Sequence, residues 1–303
     1  MRDPASRTAP RRRPASAGGS SRVTDRDREL LAFVAAHSIV LAAHVQALLR
    51  VGERFAYRRL GALVVGGFLQ HTRVLHGQPG WYQITRPGLA VIGSDLPPPR
   101  IDLRCYQHDI GVAWIWIAAA RGALGDVDRV VSEREMRSRD AARSAARSVA
   151  ARSDGASEIG SDREPRYGVR LGGVGRGGLI RLHYPDLLLI GPGEQRLAVE
   201  LELSAKGRRR LEGILAGYGA EPAVARVLYL AEKHVIRREV RSTAARLGIS
   251  ELVNVQRFAW PASGRAVAEG GAARARGATG RAVAEGGAVR ARGATGRAPA
   301  AAR

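Results

Sequence analysis

Asp186, Glu200, Glu202 and Lys206 are the residues whose types and spacing point to chemistry. Tyr184-Pro185-Asp186 opens an apolar run, and Gly191-Pro192-Gly193 turns the chain. A second run then reads Val199-Glu200-Leu201-Glu202-Leu203-Ser204-Ala205-Lys206. Side chains alternate along a strand, so Glu200 and Glu202 share one face while Leu201 and Leu203 point to the other, into the core. A hairpin with this turn brings Asp186 beside Glu200. Carboxylates gathered in this way repel one another unless a cation holds them. Mg2+ suits such a site, because it takes hard oxygen ligands and keeps waters that it activates. On this reading Asp186 and Glu200 hold the metal and Glu202 is a further ligand or base. Lys206, just past the strand, positions water and offsets charge on a scissile phosphate. It is one of only two lysines among 49 basic residues, and an ammonium is a compact, tunable cation where a guanidinium stays charged. The plain alternative is an ordinary acidic sheet face, since Leu and Glu often alternate on half-buried strands.

The elements that must position these residues span 101–260. The pattern predicts a helix over about 103–121, a strand near 127–132, strands at 184–190 and 197–203, and a helix at 206–218. A strand at 225–230, a helix at 234–247 and a strand at 253–258 follow. Residues 137–180, rich in Arg, Ser, Ala and Gly, read as an irregular insertion. His108 and Asp109 either join the carboxylate cluster or serve to pack and cap the first helix. Leu211, Ile214, Leu215 and Tyr218 form the buried stripe of the helix after the carboxylate strand. Arg208, Arg209 and Arg210 open that helix, and either grip phosphate or form a solvated face.

A separate periodic region covers 23–96. Thr24 caps a helix with Asp25 and Asp27 in its first turn, and Leu30, Leu31, Val34 and Ala35 form the apolar stripe. A second helix runs from about Val40 to Leu49, and Gly52 interrupts the pattern. A third, about 53–66, places Ala56, Leu60, Leu63 and Val64 on one face and leaves Arg54, Tyr57, Arg58 and Gly61 outward. Strand-like runs at 68–75 and 81–84 flank the turn-rich His76–Gly80. Three helices and then a hairpin is the order of a winged helix-turn-helix, in which the third helix enters the major groove. Arg54, Tyr57 and Arg58 would then face DNA, and Arg73 would reach a neighbouring phosphate. Pro97-Pro98-Pro99 reads as a hinge to the next domain.

The whole chain has 303 residues and a formal net charge of +21, which points to a polyanionic partner. Part of that arginine excess is a general compositional bias. Residues 1–22 read as a disordered basic arm. Residues 261–303 read as a low-complexity tail in which a 16-residue unit starts at Gly264, Gly280 and Gly296. Cys105 is the only cysteine, so no intrachain disulfide forms, which fits a reducing, cytoplasmic location. No long apolar run marks a membrane span, and the Arg-rich start lacks the apolar core of a secretory signal. The histidines and Cys105 show no zinc spacing. Nothing in the sequence sets an oligomeric state.

Pro185-Asp186 and Glu200-Leu201-Glu202 resemble the PD-(D/E)xK nuclease signature, with Glu202 where the signature has Lys and Lys206 as a displaced candidate. More specifically, the chain resembles the replication-relaxation family of actinobacterial plasmids and integrative elements. The residues that carry this are Tyr82-Gln83-Ile84-Thr85 with Gly88, then His108, Ser132-Glu133, Tyr184-Pro185-Asp186 and the run 199–206. The resemblance implies an α/β (α+β) two-domain protein, a winged helix followed by an αβββαβ nuclease-like domain. It further implies a role on double-stranded DNA in replication, relaxation or transfer, with a Mg-dependent endonuclease or nickase as one outcome. A non-catalytic DNA-binding accessory or transcriptional regulator with a vestigial nuclease fold is the alternative.

Overall fold

The computed structural model describes residues 23–154, 166–174 and 180–261. The expected basic arm and the repeat tail, apart from the last position before 262, lie outside the described residues.

The chain mixes α and β structure. Helix α1 (Asp25–Ala36) starts at Thr24, whose hydroxyl accepts from Asp27 N while the Asp27 carboxylate accepts from Thr24 N at 2.8 Å. The same carboxylate, buried, receives the guanidinium of Arg59. One acid therefore caps α1 and locks α3 (Glu53–Val65) to it. Between them lie β1 (Val40–Leu41) and α2 (Ala42–Leu49). The predicted second helix thus begins two residues late, because Val40 and Leu41 pair with Tyr82 and Trp81 instead. Strands β2 (Leu69–Thr72) and β3 (Trp81–Ile84) complete an antiparallel sheet of order β1-β3-β2. Ala56, Leu60 and Leu63 are buried as the helical spacing requires. A short α4 (Arg86–Val91), absent from the sequence reading, is capped by Thr85, whose hydroxyl accepts from Gly88 N at 3.2 Å.

Helix α5 (Tyr106–Ala120) is apolar on all sides from Ile110 onward, and it lies between two cores. Tyr106, Ile110, Ala113, Trp114 and Ile117 pack with α1 to α3 and their sheet. Val112, Ile115 and Ala119 pack on the other side against Leu187, Leu189, Val199 and Leu201. Each fully buried side chain of this kind stabilises the fold by about 1.5–3 kcal/mol. The expected hinge at Pro97–Pro99 is flanked by packed residues. Leu96 and Ile101 pack on the first core, and the Arg134 guanidinium donates to Pro97 O, to Ala35 O and to His37 O.

The second sheet has the order β10-β9-β8-β7-β4. Its strands are β4 (Arg129–Ser132), β7 (Leu187–Ile190), β8 (Arg196–Glu202), β9 (Arg226–Ala231) and β10 (Val253–Arg257). The β4–β7 and β7–β8 pairs are antiparallel, and the β8–β9 and β9–β10 pairs are parallel. The parallel steps need crossovers, supplied by α7 (Arg208–Gly219) and α8 (His234–Arg246). These two helices cover one face and α5 the other, which makes three layers.

The reading of 137–180 as an irregular insertion is corrected where the residues are described; 155–165 and 175–179 lie outside them. Residues 133–154 form one helix, α6 (Glu133–Asp154), and 169–174 and 180–183 form the hairpin strands β5 (Val169–Val174) and β6 (Ile180–His183). Alanine and arginine are good helix formers, and Glu133–Arg137 and Glu135–Arg139 pair one turn apart. The helix therefore forms with almost no apolar stripe; Met136 is its buried anchor. Among the described residues no helix is long and apolar enough to cross a membrane.

Candidate functional site

The register of the β7–β8 hairpin pairs Leu187 with Val199, so Asp186, one residue earlier, stands across from Glu200. Leu201 N donates to Asp186 Oδ2 at 2.7 Å, and His108 Nε2 donates to the same oxygen at 3.2 Å. His108 comes from the first turn of α5, with Asp109 Oδ1 3.8 Å from its other ring nitrogen. Burial works against a charged imidazole, but the two aspartates outweigh it and hold the His108 pKa up at about 11. Burial would raise Asp186; His108, the Leu201 amide and Lys206 prevail and hold it below the usual carboxylate range.

Glu200 and Glu202 share a face, as the alternation requires, but that face is covered. It lies under α7 and the β5–β6 hairpin, and the two side chains are 2% and 7% exposed. Each is paired internally. Glu200 Oε1 accepts from His183 Nε2 at 2.6 Å and from Tyr218 OH at 2.5 Å. Burial works against a charged His183 ring, but the charge and hydrogen bond of Glu200, with Asp186, together outweigh it and raise the His183 pKa. Glu202 Oε2 receives Lys206 Nζ one helical turn away in sequence. Burial nevertheless leaves Glu202 above its ordinary value, with the neighbouring Glu200 and Asp186 adding to the shift. Tyr229, paired in register with Glu200 on β9, is fully buried, and its hydroxyl has no hydrogen-bond partner among the described residues.

The four sequence-predicted residues therefore converge, on one hairpin and the turn after it. Of the three carboxylates Asp186 is the one that is part exposed, at a cleft of about 50 Å³ with His108, Asp109, Ser132 and Glu133. Ala36, His37 and Ser38, from the end of α1, close its other side. His183 and Tyr218 are functional neighbours that the sequence reading did not assign to the cluster. Tyr218 was foreseeable, because a tyrosine on a buried stripe needs a partner for its hydroxyl. Among the described residues no three His, Cys, Asp or Glu side chains form a metal-binding group.

The candidate DNA-facing residues lie elsewhere on the surface. Arg54, Tyr57 and Arg58 are exposed along one side of α3, and the Arg58 guanidinium lies 5.2 Å from the Phe55 ring. Gly61 continues this side and has open space where a Cβ would be. Arg73 is exposed one residue past the end of β2, in the hairpin loop rather than in the strand. Arg208 and Arg209 are exposed at the start of α7, and Arg208 donates to Glu212 at 3.0 Å.

In comparisons with known proteins, the chain matches no family model, no curated protein and no solved structure.

Proposed function

We propose that this protein binds double-stranded DNA, and that the DNA belongs to a plasmid or integrative element, as its resemblance to the replication-relaxation family implies. The observation that carries the DNA reading is the exposed face of α3, with Arg54, Tyr57 and Arg58 on the outside and Ala56, Leu60 and Leu63 in the core. The order of helix, short strand, two helices and hairpin, with β1 paired to β3, supports a winged-helix reading. In such a module α3 lies in the major groove and the β2–β3 loop with Arg73 reaches a flanking phosphate. The net charge of +21 supplies long-range attraction to the duplex.

A second reading, a Mg-dependent endonuclease or nickase with a PD-(D/E)xK-like domain, is favoured by Asp186 standing across from Glu200 with Glu202 and Lys206 beside them. The donor set fits the ion in kind. Mg2+ is commonly held by one or two carboxylates, with waters and substrate phosphate completing its shell. Asp186 and Glu200 would hold it. When bound, it would supply an acidified water and a Lewis acid for the scissile phosphate. Asp186 offers the accessible carboxylate, at the mouth of the cleft. Glu202 keeps Lys206 close, and release of that pair would free the ammonium to face a phosphate. His108 holds Asp186 in place and would donate to an anionic oxygen in the cleft. The enclosure of Glu200 by His183 and Tyr218 favours the alternative, a DNA-binding accessory or regulator in which the cluster is structural.

The test is incubation of the purified chain with supercoiled plasmid in Mg2+, Mn2+ or EDTA, beside Asp186→Ala and Glu200→Ala. Metal-dependent nicking that needs both carboxylates establishes cleavage. Retarded plasmid that stays supercoiled in every metal leaves the binding reading alone. No retardation at low salt removes both.

A further inference from the structure

A second basic feature lies apart from α3. Arg137, Arg143 and Arg147 on α6, with Arg166 ahead of β5, line a cleft of about 220 Å³. Its opposite wall is Leu182 and Tyr184, the residues on either side of His183. The small Ala141 and Ser144 lie between the arginines of the helix and leave a trough there. Arg137 is held in place by stacking, with its guanidinium 4.5 Å from the Tyr184 ring. It also pairs with Glu133 at 2.6 Å, an exposed pair of small worth. The acid in the cleft, Asp140, is turned inward. Its carboxylate accepts from Tyr167 N at 3.1 Å and from Gly168 N at 3.2 Å, and the residue is only 8% exposed. Asp140 Oδ1 also lies 3.6 Å from Arg143 Nη1, so among the described lining residues four guanidiniums stand against one carboxylate, which is shared between backbone amides and Arg143.

We infer that this cleft is a binding site for the phosphodiester backbone of DNA, separate from the α3 face. Arginine forks match phosphate oxygens in a bidentate way, and a planar guanidinium sheds water more readily than an ammonium. Ten residues of helix separate Arg137 from Arg147, a rise of about 15 Å. One strand of a duplex advances about 3.4 Å per nucleotide, so the arginines span roughly four nucleotides. Because Leu182 and Tyr184 flank His183, a strand lying in the cleft runs past the side of the hairpin whose other side holds Glu200. The inference rests on the DNA reading but not on cleavage.

The test is the salt dependence of binding to a short fluorescent duplex, with the full chain and with the Arg137→Gln, Arg147→Gln double variant. Each arginine that neutralises a phosphate contributes about 0.9 to the slope of log affinity against log salt. The expected result is weaker binding and a slope shallower by about 1 to 2. The terminal arginines are common to both proteins, so the difference isolates the cleft. Arg147→Gln alone, away from Glu133 and Tyr184, serves if the double variant has lost its thermal transition, with an expected change near 1. An unchanged slope in a folded variant, while Arg54→Ala with Arg58→Ala does weaken binding, overturns the cleft and leaves the DNA reading in place. A wild-type chain that fails to bind the duplex at low salt overturns both.

Discussion

His108 Nε2 lies 3.2 Å from Asp186 Oδ2, so the one carboxylate of the cluster that reaches the cleft is held by an imidazolium from the helix shared by both cores. The pair has a definite pH signature. His108 is raised in the fold to about 11 from an ordinary value of 6.5. A raised cation contributes stability that is fully present below pH 6.5 and is lost as pH rises through about 11. Asp186 is depressed, so its contribution is present above its ordinary value of 3.8 and is lost as pH falls through the lower folded value. Asp186→Asn should therefore flatten the alkaline limb of a melting-temperature profile and drop the His108 pKa steeply. An NMR titration of the His108 ring checks this directly, and a wild-type imidazole titrating near its ordinary value would show that the ion pair does not form.

Acid should destabilise the protein through a different pair of histidines. His37 and His44 are buried and lowered from 6.5 to about 3, by burial first and then by Arg134 at His37 and by the neighbouring His37 at His44. His44 Nδ1 also accepts from Leu41 N at 3.0 Å, which requires the neutral ring. Below pH 6.5 the unfolded chain takes up protons that the fold refuses, so stability falls as pH drops from 6.5 toward 3. The slope approaches about 1.4 kcal/mol per pH unit for each histidine. Urea melts at pH 7.5 and pH 5 measure it. His37→Phe should remove about half the acid loss, and an undiminished loss in that variant would assign the effect elsewhere.

Two buried tyrosines beside Glu200 should respond oppositely to loss of a hydroxyl. Tyr218 OH donates to Glu200 Oε1 at 2.5 Å, and the carboxylate is enclosed. Tyr218→Phe leaves that acceptor with His183 alone and should cost about 1–3 kcal/mol, as for a buried polar group deprived of a partner. Tyr229 OH is buried with no hydrogen-bond partner among the described residues. Tyr229→Phe removes an unsatisfied group and should be neutral or stabilising by about 1 kcal/mol. Denaturant unfolding of both variants settles the comparison; a Tyr229→Phe chain as damaged as Tyr218→Phe would mean that its hydroxyl is bonded in solution.

These contrasts also mark where the sequence was readable. The spacing of Ala56, Leu60 and Leu63 determined which side of α3 is buried, because a helix has one period and a single stripe on the core. The two-residue period likewise put Glu200 and Glu202 on a common face. What covers that face was not readable. A strand flanked by one layer and a strand flanked by two differ only in what packs over the glutamates, and that is set by how α7 and the β5–β6 hairpin fold back over the sheet. Helix α6 escaped notice for another reason: its stability comes from propensity and one-turn ion pairs rather than from an apolar stripe. The shared role of α5 was hidden because, from Ile110 onward, it is apolar all round, which gives no preferred face.

Gly61 offers a test of the α3 face that separates folding from binding. A Cβ at this position would meet nothing within 4 Å, and the residue is neither in a positive-φ conformation nor at a helix end. Glycine inside a helix costs about 0.5–1 kcal/mol relative to alanine. On the proposed DNA reading, glycine here would let the duplex backbone approach the helix closely. Arg54, Tyr57, Arg58 and Gly61 lie along one side of the helix, so the duplex would meet the arginines as well. Gly61→Ala should therefore raise the thermal midpoint by a few degrees, as about 1 kcal/mol does in a domain of this size. The same substitution should weaken duplex binding measured by anisotropy. Arg54→Ala with Arg58→Ala should weaken it too, but without the gain in stability. A Gly61→Ala protein that is more stable and binds duplex as tightly as the wild type would mean that DNA does not approach α3 along this face.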